Sequence, residues 1–303
     1  AGIKAMRSAV ESAGIKTIVT SRLFLKKLTS RGIDLAELFS GIEVLYLENI
    51  KQENSQALAL RYLIMVKLLP ASVLSLCFIK SVPSHTTAAI MFSSGSEGKP
   101  KGVELSHYNL LGNIKQVASI FNIEETDTFM CILPLFHCFG LTVTAFLPLI
   151  EGATFVCHPD PTDSVVVGHM VHRYKATILF GSSTFFGLYI RAKKLHSLMF
   201  KSLRMAIAGA EKLSPQVRQA FKDKFFLDIM EGYGTTEVAP VASCNLPDTI
   251  NQADWHVHVS NKIGSVGLPL PGSAFRIVDP NSLKELPLGQ SGMIAIGGPQ
   301  VMK

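Results

Sequence analysis

Charged residues are scarce in this sequence, and their scarcity excludes several classes of protein. They make up 17% of the 303 residues, against 48% for hydrophobic residues. A chain this apolar can bury enough surface to offset the entropy lost on folding, which excludes a disordered chain. The net charge of +6 comes without a long basic run or a nucleic-acid-binding motif, so we expect no nucleic-acid partner.

Cysteine is also infrequent, and its spacing argues against metal and disulfide sites. The five cysteines are Cys77, Cys131, Cys138, Cys157 and Cys244. Their number is odd, no CxxC pair occurs, and most of them lie in apolar runs. This pattern is typical of buried thiols in a reducing compartment rather than of disulfides or zinc ligands.

A run long enough to span a membrane is lacking as well. The most apolar stretch, residues 58–79, is interrupted by Arg61, Lys67 and Pro70. The apolar segments between these residues are too short to cross the hydrocarbon core of a bilayer. We therefore predict a buried or interfacial pair of helices here, and peripheral membrane contact stays open.

The dominant pattern that is present is an alternation of strands and helices. The strand candidates are residues 16–20, 43–48, 87–93, 128–133, 153–157, 176–181, 203–208 and 226–231. Most are continuous apolar runs, as expected for strands covered on both faces. Helical patterns at 107–121, with Ser106 as N-cap, and at 214–224 lie between them. The alternation predicts an α/β fold with a mainly parallel sheet flanked by helices.

The pattern changes near residue 245. Turn signals and short strands follow, among them residues 275–279 and 293–297. They predict a smaller antiparallel unit at the end of the chain.

Residues 93–102, SSGSEGKPKG, form the strongest local motif. Three glycines, three serines and two lysines follow an apolar strand and precede the capped helix. Free backbone N–H groups, hydroxyls and ammonium groups make an anion cradle, and the chemistry favours a polyphosphate. Pro100 stands where the Walker motif needs glycine, so an ordinary P-loop is excluded. A surface loop rich in small residues is the alternative.

Residues 134–140, PLFHCFG, form a second candidate segment. His137 lies between Phe136 and Phe139 after a buried strand. A histidine among aromatic residues is commonly a satisfied core residue. The other interpretation is a role in a substrate pocket or its gate.

Residues 231–237, EGYGTTE, form a third segment. Glycine lets the backbone approach a ligand, and Tyr233 offers a flat face to a base. Thr235 and Thr236 can donate hydrogen bonds to phosphate, and Glu237 can bind Mg²⁺, which prefers oxygen ligands. A glycine-rich β-turn is the alternative.

Residues 209–211, GAE, follow another strand of the inferred sheet. All four segments are thus predicted at the carboxyl ends of strands of one parallel sheet. Ligands bind at that edge in open α/β folds. The four segments together therefore predict one site.

In this order, the segments resemble signatures of the adenylate-forming superfamily, which includes acyl-CoA synthetases, luciferases and peptide-synthetase adenylation domains. SSGSEGKPKG is similar to its phosphate loop, and PLFHCFG and EGYGTTE are similar to its next two signatures. GSVGLPLPG at 264–272 is similar to the segment that enters its β-barrel subdomain. The resemblance implies that superfamily's large-domain fold, with layered, mainly parallel sheets and the start of a small β-barrel.

A narrower resemblance covers nearly the whole chain. It is to the synthetase half of a bacterial family of bifunctional enzymes, 2-acylglycerophosphoethanolamine acyltransferase and acyl-acyl-carrier-protein synthetase. The segments that carry it are GSEG at 95–98, KTIVTSRLFL at 16–25, LPLFHCFGLTV at 133–143, LFGSSTFFG at 179–187 and AGAEKL at 208–213.

The resemblance implies a role for each matching residue. Those that would wrap the phosphates of ATP are Ser93, Ser94, Gly95, Ser96, Gly98, Lys99 and Lys101, with Lys99 also catalytic. Those that would hold the rest of the nucleotide are Gly209, Ala210, Glu211, Tyr233, Gly234 and Thr235. Three further residues would be catalytic. Thr236 would contact the α-phosphate, Glu237 would bind Mg²⁺, and His137 would border the carboxylate. Those that would line the acyl pocket are Phe136, Phe139, Gly140, Ser183 and Phe185.

The implied reaction is ATP-dependent activation of a fatty acid to an acyl-adenylate. Transfer to acyl carrier protein and reacylation of a lysophospholipid by the acyltransferase half would follow. The implied location is the cytoplasm or, peripherally, the cytoplasmic side of the bacterial inner membrane. A fatty or aryl acid–CoA ligase core is one alternative, and a non-catalytic nucleotide-binding or membrane-interaction module is another.

The resemblance also implies parts beyond both ends of the sequence. A ribose-binding aspartate and a C-terminal domain with the adenylation lysine are expected after residue 303, and the missing initiator Met suggests a longer chain upstream. The expected division is 1–85, the remainder of a first α/β subdomain, 86–245, the nucleotide- and acyl-binding subdomain, and 246–303, a partial β-barrel. We therefore expect the 303 residues alone to be weakly active or inactive.

Overall fold

Strands and helices alternate along most of the chain, as the apolar pattern predicts. The computed structural model describes residues 2–30, 32–33, 35–53, 55–94, 100–251 and 253–303. The chain divides into two compact units. The first combines Ala1–Thr86 with Phe92–Gly102, and the second combines Thr87–Met91 with Val103–Lys303.

The first unit contains a two-stranded parallel sheet with helices around it. Its elements are α1 (Gly2–Ser12), β1 (Thr17–Thr20), α2 (Arg22–Thr29), α3 (Ala36–Phe39), β2 (Glu43–Tyr46), α4 (Leu47–Glu53), α5 (Gln56–Leu68) and α6 (Ala71–Phe78). β1 and β2 pair in parallel along their full length. The guanidinium of Arg22 lies 4.4 Å from the ring centroid of Tyr46, which ties α2 to the sheet.

The predicted helix pair is present as α5 and α6, on either side of Pro70. The rings of Tyr62 and Phe78 meet edge to face at 5.8 Å and hold the two helices together. No residue of either helix is buried, so the expectation of a buried pair is wrong. No helix in the described part of the chain is long and apolar enough to cross a membrane.

The second unit is built on a sheet of seven of the described strands. The strands after residue 86 are β3 (Thr87–Ser94), β4 (Pro100–Ser106), β5 (Thr128–Cys131), β6 (Thr154–Cys157), β7 (Ile178–Gly181), β8 (Met205–Ala208), β9 (Ile229–Gly234), β10 (Val241–Cys244), β11 (Thr249–Ile250), β12 (Val257–His258), β13 (Leu268–Pro269), β14 (Ala274–Val278) and β15 (Met293–Gly297). The sheet order is β13-β10-β9-β8-β7-β5-β6. Its five strands from β9 to β6 are parallel, and β10 is antiparallel to β9 and β13. The predicted mainly parallel sheet is thereby confirmed.

Helices cover both faces of this sheet. They are α7 (His107–Phe121), a π-helix (Gly140–Phe146), α8 (Leu147–Ile150), α9 (Ser164–Tyr174), α10 (Ser183–Arg191) and α11 (Pro215–Phe225), with 3₁₀ turns at Ser197–Phe200 and Thr236–Val238. Phe129 and Phe180 point into the core under α7, whereas Met130 and Leu179, one residue along each strand, point into the core under α9 to α11. Burial on both faces explains why the strands read as unbroken apolar runs.

α7 begins and ends where the pattern predicts, and its cap also anchors the end of the chain. Ser106 and Asn109 form a reciprocal capping box at its N-terminus. The Asn109 amide donates to the carbonyl oxygens of Pro299 and Val301, at 2.9 and 2.7 Å. Residues 299–301 are therefore fixed against α7.

One detail of the predicted topology and one alternative interpretation are wrong. β3 pairs with β4 in a separate two-stranded sheet, so residues 93–102 do not follow a strand of the large parallel sheet. Residues 231–234 are not a turn, because β9 continues through them to Gly234. The turn begins only after Gly234.

The cysteines provide a first testable prediction. Cys131, Cys138 and Cys244 are buried, whereas Cys77 and Cys157 are exposed. Burial raises the pKa values of the three buried thiols to about 12, 11 and 12, respectively. Since the thiolate is the reactive form, we expect iodoacetamide at pH 8.5 to label only Cys77 and Cys157 in the folded protein, as mapped by mass spectrometry.

Denaturation provides the control for that experiment. In guanidinium chloride all five thiols lose their burial and should be labelled at similar rates. Labelling of Cys244 as fast as Cys157 before denaturation would contradict the buried sheet described above.

Candidate active site

A cavity of about 500 Å³ lies at the carboxyl ends of β8 and β9. Its lining residues are Ala210, Glu211, Lys212, Leu213, Pro215, Arg218, Glu231, Gly232, Tyr233, Gly234, Ile263, Gly264, Ser265 and Val266. A volume of this order is usual for small-molecule and cofactor sites. The position is also the edge at which open α/β sheets bind ligands.

Gly209 directly follows β8 and precedes Ala210, the first residue of one cavity wall. Its N–H donates to the carbonyl oxygen of Gly181 at 3.0 Å. A Cβ at this position would lie 2.8 Å from the ring of Phe139, so only glycine fits without moving that ring. Ala210 adopts a φ of 68°, in the left-handed region, and residues 210–213 line the cavity.

Two carboxylates shape this wall. Glu211 accepts a hydrogen bond from the N–H of Thr184 at 2.6 Å, at the beginning of α10. Burial opposes its ionisation, but the hydrogen bonds from Thr184 and Ser182 outweigh burial and lower the Glu211 pKa. Glu231 is buried and accepts from the N–H of Leu213 at 2.9 Å. The two acidic side chains thus hold the loop between β8 and α11.

The end of β9 forms the opposite wall. Tyr233 pairs with Ser243 of β10, and its partly exposed ring lines the cavity. At Gly234 a Cβ would overlap the carbonyl oxygen of Pro240, so the close approach of these two backbones requires glycine. The predicted pair Tyr233 and Gly234 therefore lies in the cavity wall.

Thr235, Thr236 and Glu237 follow that wall. Thr235 precedes the short 3₁₀ turn that begins at Thr236, and the carbonyl oxygen of Glu237 accepts from the N–H of Met302 at 2.8 Å. Burial raises the pKa of Cys138, and the charge of nearby Glu237 adds to the rise. Cys138 of the segment 134–140 shares a buried cluster with Ala239, which directly follows the 3₁₀ turn.

His137 is exposed, so its interpretation as a buried core residue is wrong. Its Nδ1 accepts a hydrogen bond from the N–H of Phe139 at 3.2 Å, just before the π-helix. Phe136 is 85% exposed, whereas Phe139 is buried with its ring edge against Phe180 at 5.9 Å. The two phenylalanines on either side of His137 thus have different surroundings.

The other residues predicted for an acyl pocket make structural contacts. A Cβ at Gly140 would overlap the carbonyl oxygen of Pro134. Ser183 is buried and accepts from the N–H of Ser214 at 3.1 Å, which joins the beginnings of α10 and α11. Phe185 packs partly buried against the cores on both faces of the sheet. None of these residues is among the described residues that line the 500 Å³ cavity.

The predicted phosphate loop falls largely outside the described residues, which exclude Gly95, Ser96, Gly98 and Lys99. The strand β3 ends in Ser93 and Ser94, and Lys101 is an exposed residue of β4. These three residues belong to the first compact unit. The binding of phosphate by this loop stays a prediction.

Sequence reasoning missed several residues of the cavity. Arg218 is buried and donates to both carboxylate oxygens of Asp228, at 2.7 and 3.0 Å, and to Asn261 at 3.1 Å. Burial opposes ionisation of Asp228, but Arg218 and then Lys222 outweigh it and lower the Asp228 pKa. Residues 264–266 begin the segment 264–272 that resembles the entry to a β-barrel subdomain, but their chemistry did not predict that they line the cavity.

Comparison with known proteins identifies the family. The profile of the family described as AMP-binding enzyme matches residues 2–303. A probable 4-coumarate–CoA ligase 1 of Dictyostelium discoideum is 34% identical over 224 residues, 73% of this chain and 38% of that protein. A long-chain-fatty-acid–CoA ligase of Escherichia coli is 30% identical over 218 residues, 71% of this chain and 37% of that protein.

Solved structures agree on the fold. Apo MatB from Rhodopseudomonas palustris superimposes with a TM-score of 0.74 at 22% sequence identity, over 99% of this chain and 54% of that one. The fold is that of adenylate-forming enzymes, and the chain belongs to the AMP-binding enzyme family. It spans less than two fifths of the length of the curated relatives it matches.

Proposed function

We propose that the chain is the nucleotide-binding core of an enzyme that activates a fatty acid with ATP. The cavity beside β8 and β9 carries this proposal, because four of the six residues predicted to hold the part of the nucleotide beyond its phosphates line it. Ala210, Glu211 and Tyr233 lie there together, although they are distant in sequence. In this proposal the adenine ring stacks on Tyr233, and the backbone of residues 209–211 runs along its edge.

Mg²⁺ fits the chemistry of the residues at the end of this wall. Mg²⁺ is commonly bound by one or two carboxylates together with substrate phosphates. Within the described residues no group of three or more His, Cys, Asp or Glu side chains could hold a metal. The carboxylate of Glu237 would share the ion with the phosphates of ATP. When bound, the ion supplies positive charge that stabilises charge developing on the phosphates.

The proposed first step forms an acyl-adenylate. A carboxylate oxygen of the fatty acid attacks the α-phosphorus, and the bond from that phosphorus to the bridging oxygen breaks to release pyrophosphate. A hydrogen bond donated by Thr236 to the α-phosphate would stabilise the negative charge that develops there. His137 borders the carboxylate, with Phe136 and Phe139 on either side along the chain.

The proposed acceptor of the acyl group is the thiol of acyl carrier protein. The narrower resemblance of residues 133–143 and 179–187 supports this choice, and the acyl-carrier thioester would serve lysophospholipid reacylation by a separate acyltransferase domain. Coenzyme A is the second candidate, because the relatives at 34% and 30% identity are CoA ligases by name.

A stable acyl-adenylate mimic tests the proposal without requiring turnover. We expect calorimetry to show that the chain binds 5′-O-(N-hexadecanoylsulfamoyl)adenosine more tightly than the acetyl and 4-coumaroyl forms. Absence of binding to all three would contradict a nucleotide site, and preference for coumaroyl would point to an aryl acid. Calorimetric titration of the complex with the hexadecanoyl mimic, using holo acyl carrier protein and then coenzyme A, distinguishes the acceptors without turnover.

Glu237→Gln should weaken binding of ATP only when Mg²⁺ is present. The substitution removes the negative charge and keeps the size of the side chain. Loss of a contact to a charged group costs about 1.5–3 kcal/mol, or roughly ten- to a hundredfold in Kd. Calorimetric titration with ATP, with Mg²⁺ and then with EDTA, measures the difference.

Glu125→Gln is the matched control, since Glu125 is exposed in the same unit and outside the cavity lining. It should leave both titrations unchanged. If Glu237→Gln loses as much ATP affinity in EDTA as it loses with Mg²⁺, Glu237 has a structural role and is not a metal ligand.

A further inference from the structure

The α5–α6 hairpin, residues 56–78, exposes many large apolar side chains in the first unit. Large side chains along both helices are exposed, among them Leu63 at 52%, Val66 at 61%, Leu68 at 76%, Leu76 at 86% and Phe78 at 54%. Soluble proteins seldom expose contiguous apolar surface of this kind unless it binds a partner or a membrane.

The apolar side chains of α5 are not confined to one stripe. Tyr62, Leu63 and Ile64 are consecutive and all at least 44% exposed, so they face three different directions around the helix. A helix that docks in a protein groove presents one stripe at a spacing of three and four residues. A helix that is apolar all round suits an environment that surrounds it, such as lipid.

The stretch of sequence that contains the hairpin carries formal charge of one sign. No aspartate or glutamate occurs between Glu53 and Glu97, although the chain contains 23 acidic residues. The same stretch contains Arg61, Lys67 and Lys80. Basic residues beside an apolar surface are attracted to anionic headgroups, and their long side chains can reach those headgroups while the helix lies deeper.

The length of the hairpin indicates an interfacial position. α5 has 13 residues and α6 has 8. At about 1.5 Å per residue neither helix covers the roughly 30 Å of a bilayer's hydrocarbon core. The edge contact between Tyr62 and Phe78 keeps the two helices side by side as one unit.

We propose that the α5–α6 hairpin is a membrane-docking element that inserts into the surface of an anionic bilayer. The occupant of this apolar surface is therefore lipid, with negatively charged headgroups around Arg61, Lys67 and Lys80. The proposal does not depend on the activity of the cavity in the second unit.

Vesicle flotation of the full 303-residue chain tests the proposal. Vesicles of phosphatidylglycerol and phosphatidylethanolamine should carry the protein, and vesicles of phosphatidylcholine should carry at least tenfold less. Leu68→Ser combined with Leu76→Ser should reduce binding to the anionic vesicles at least tenfold. Lys67→Gln combined with Lys80→Gln should reduce it at low salt and have little effect at high salt.

Leu288→Ser is the matched control, because Leu288 is fully exposed but lies in the second unit. It should float like the wild type, and circular dichroism should show all variants folded. Equal binding to both kinds of vesicle, or equal binding of the Leu68/Leu76 variant and the wild type, would overturn the proposal. Concentration-dependent self-association that this variant abolishes, without vesicle binding, would assign the surface to a second copy instead.

Discussion

Gly267→Ala should destabilise the second unit by about 4 kcal/mol or more, which few single substitutions do. Gly267 has a φ of 81°, and a Cβ there would overlap the backbone of Cys244 and Asn245. The strand β10 ends at Cys244 inside the core, so the obstruction cannot move aside like a flexible side chain. For a domain of this size the expected shift is a Tm about 8 °C lower or more.

The same substitution should damage the cavity. The N–H of Gly267 donates to Ser265 Oγ at 3.2 Å, and the carbonyl oxygen of Val266 accepts from Ser243 Oγ at 2.9 Å. These bonds hold Ser265 and Val266 in the cavity wall. We therefore expect weaker binding of the acyl-adenylate mimic at temperatures at which the variant is still folded.

Gly264→Ala is the control for backbone strain alone. Gly264 has nearly the same φ, 80°, but nothing lies within 4 Å of a Cβ placed there. The free energy of unfolding of Gly264→Ala should fall only by the cost of placing alanine in a left-handed conformation, about 1–2 kcal/mol. Calorimetry on both variants measures the two effects, and similar losses would show that the overlap at Gly267 is relieved by a small backbone shift.

The sequence predicts the central part of this fold well because burial on both faces leaves a strong local signal. The strands 178–181 and 205–208 lie inside unbroken apolar runs, and Ser106 marks the beginning of α7 as expected. The pairing partner of β3 could not be predicted in this way, because an apolar run does not indicate which strand lies beside it. In the structure β3 pairs with β4, and this pair forms a sheet apart from the large one.

The candidate site was predictable in part for the same reason. Residues 210–211 and 233–234 were found because they follow or end apolar strands and carry glycine or polar groups. Arg218 was not found, because its partner Asp228 is ten residues away and the pairing depends on how α11 packs against β9. The three hydrogen bonds of the Arg218 guanidinium are tertiary contacts, and they leave no spacing pattern in the sequence.

Arg218→Met should lower the free energy of unfolding at pH 7 by about 2–4 kcal/mol, because it leaves the Asp228 carboxylate without its main partner. The side chains of Arg218 and Asp228 are 8% and 22% exposed. Lys222 Nζ, at 3.8 Å from the carboxylate and 57% exposed, compensates only slightly. Urea denaturation of both proteins measures the loss.

The stability lost by Arg218→Met should decrease as the pH falls. The Asp228 pKa is lowered in the folded protein, since Arg218 outweighs the opposing effect of burial. A carboxylate of this kind stabilises the fold above its unfolded pKa of about 3.9, and its contribution disappears as the pH falls through the lower folded pKa. The difference between wild type and Arg218→Met should therefore be largest near neutral pH and shrink as the pH falls below about 4.

Replacing both partners separates the charge from the packing. Arg218→Met combined with Asp228→Asn leaves no uncompensated charge, and should regain at least half of the stability lost by the single variant. Lys222→Met should cost less than about 0.5 kcal/mol, because its ion pair is mostly exposed. If the double variant is as unstable as the single one, the guanidinium acts through Asn261 and the cavity wall rather than through Asp228. In that case the loss would not shrink at low pH, and affinity for the acyl-adenylate mimic would fall in parallel with stability.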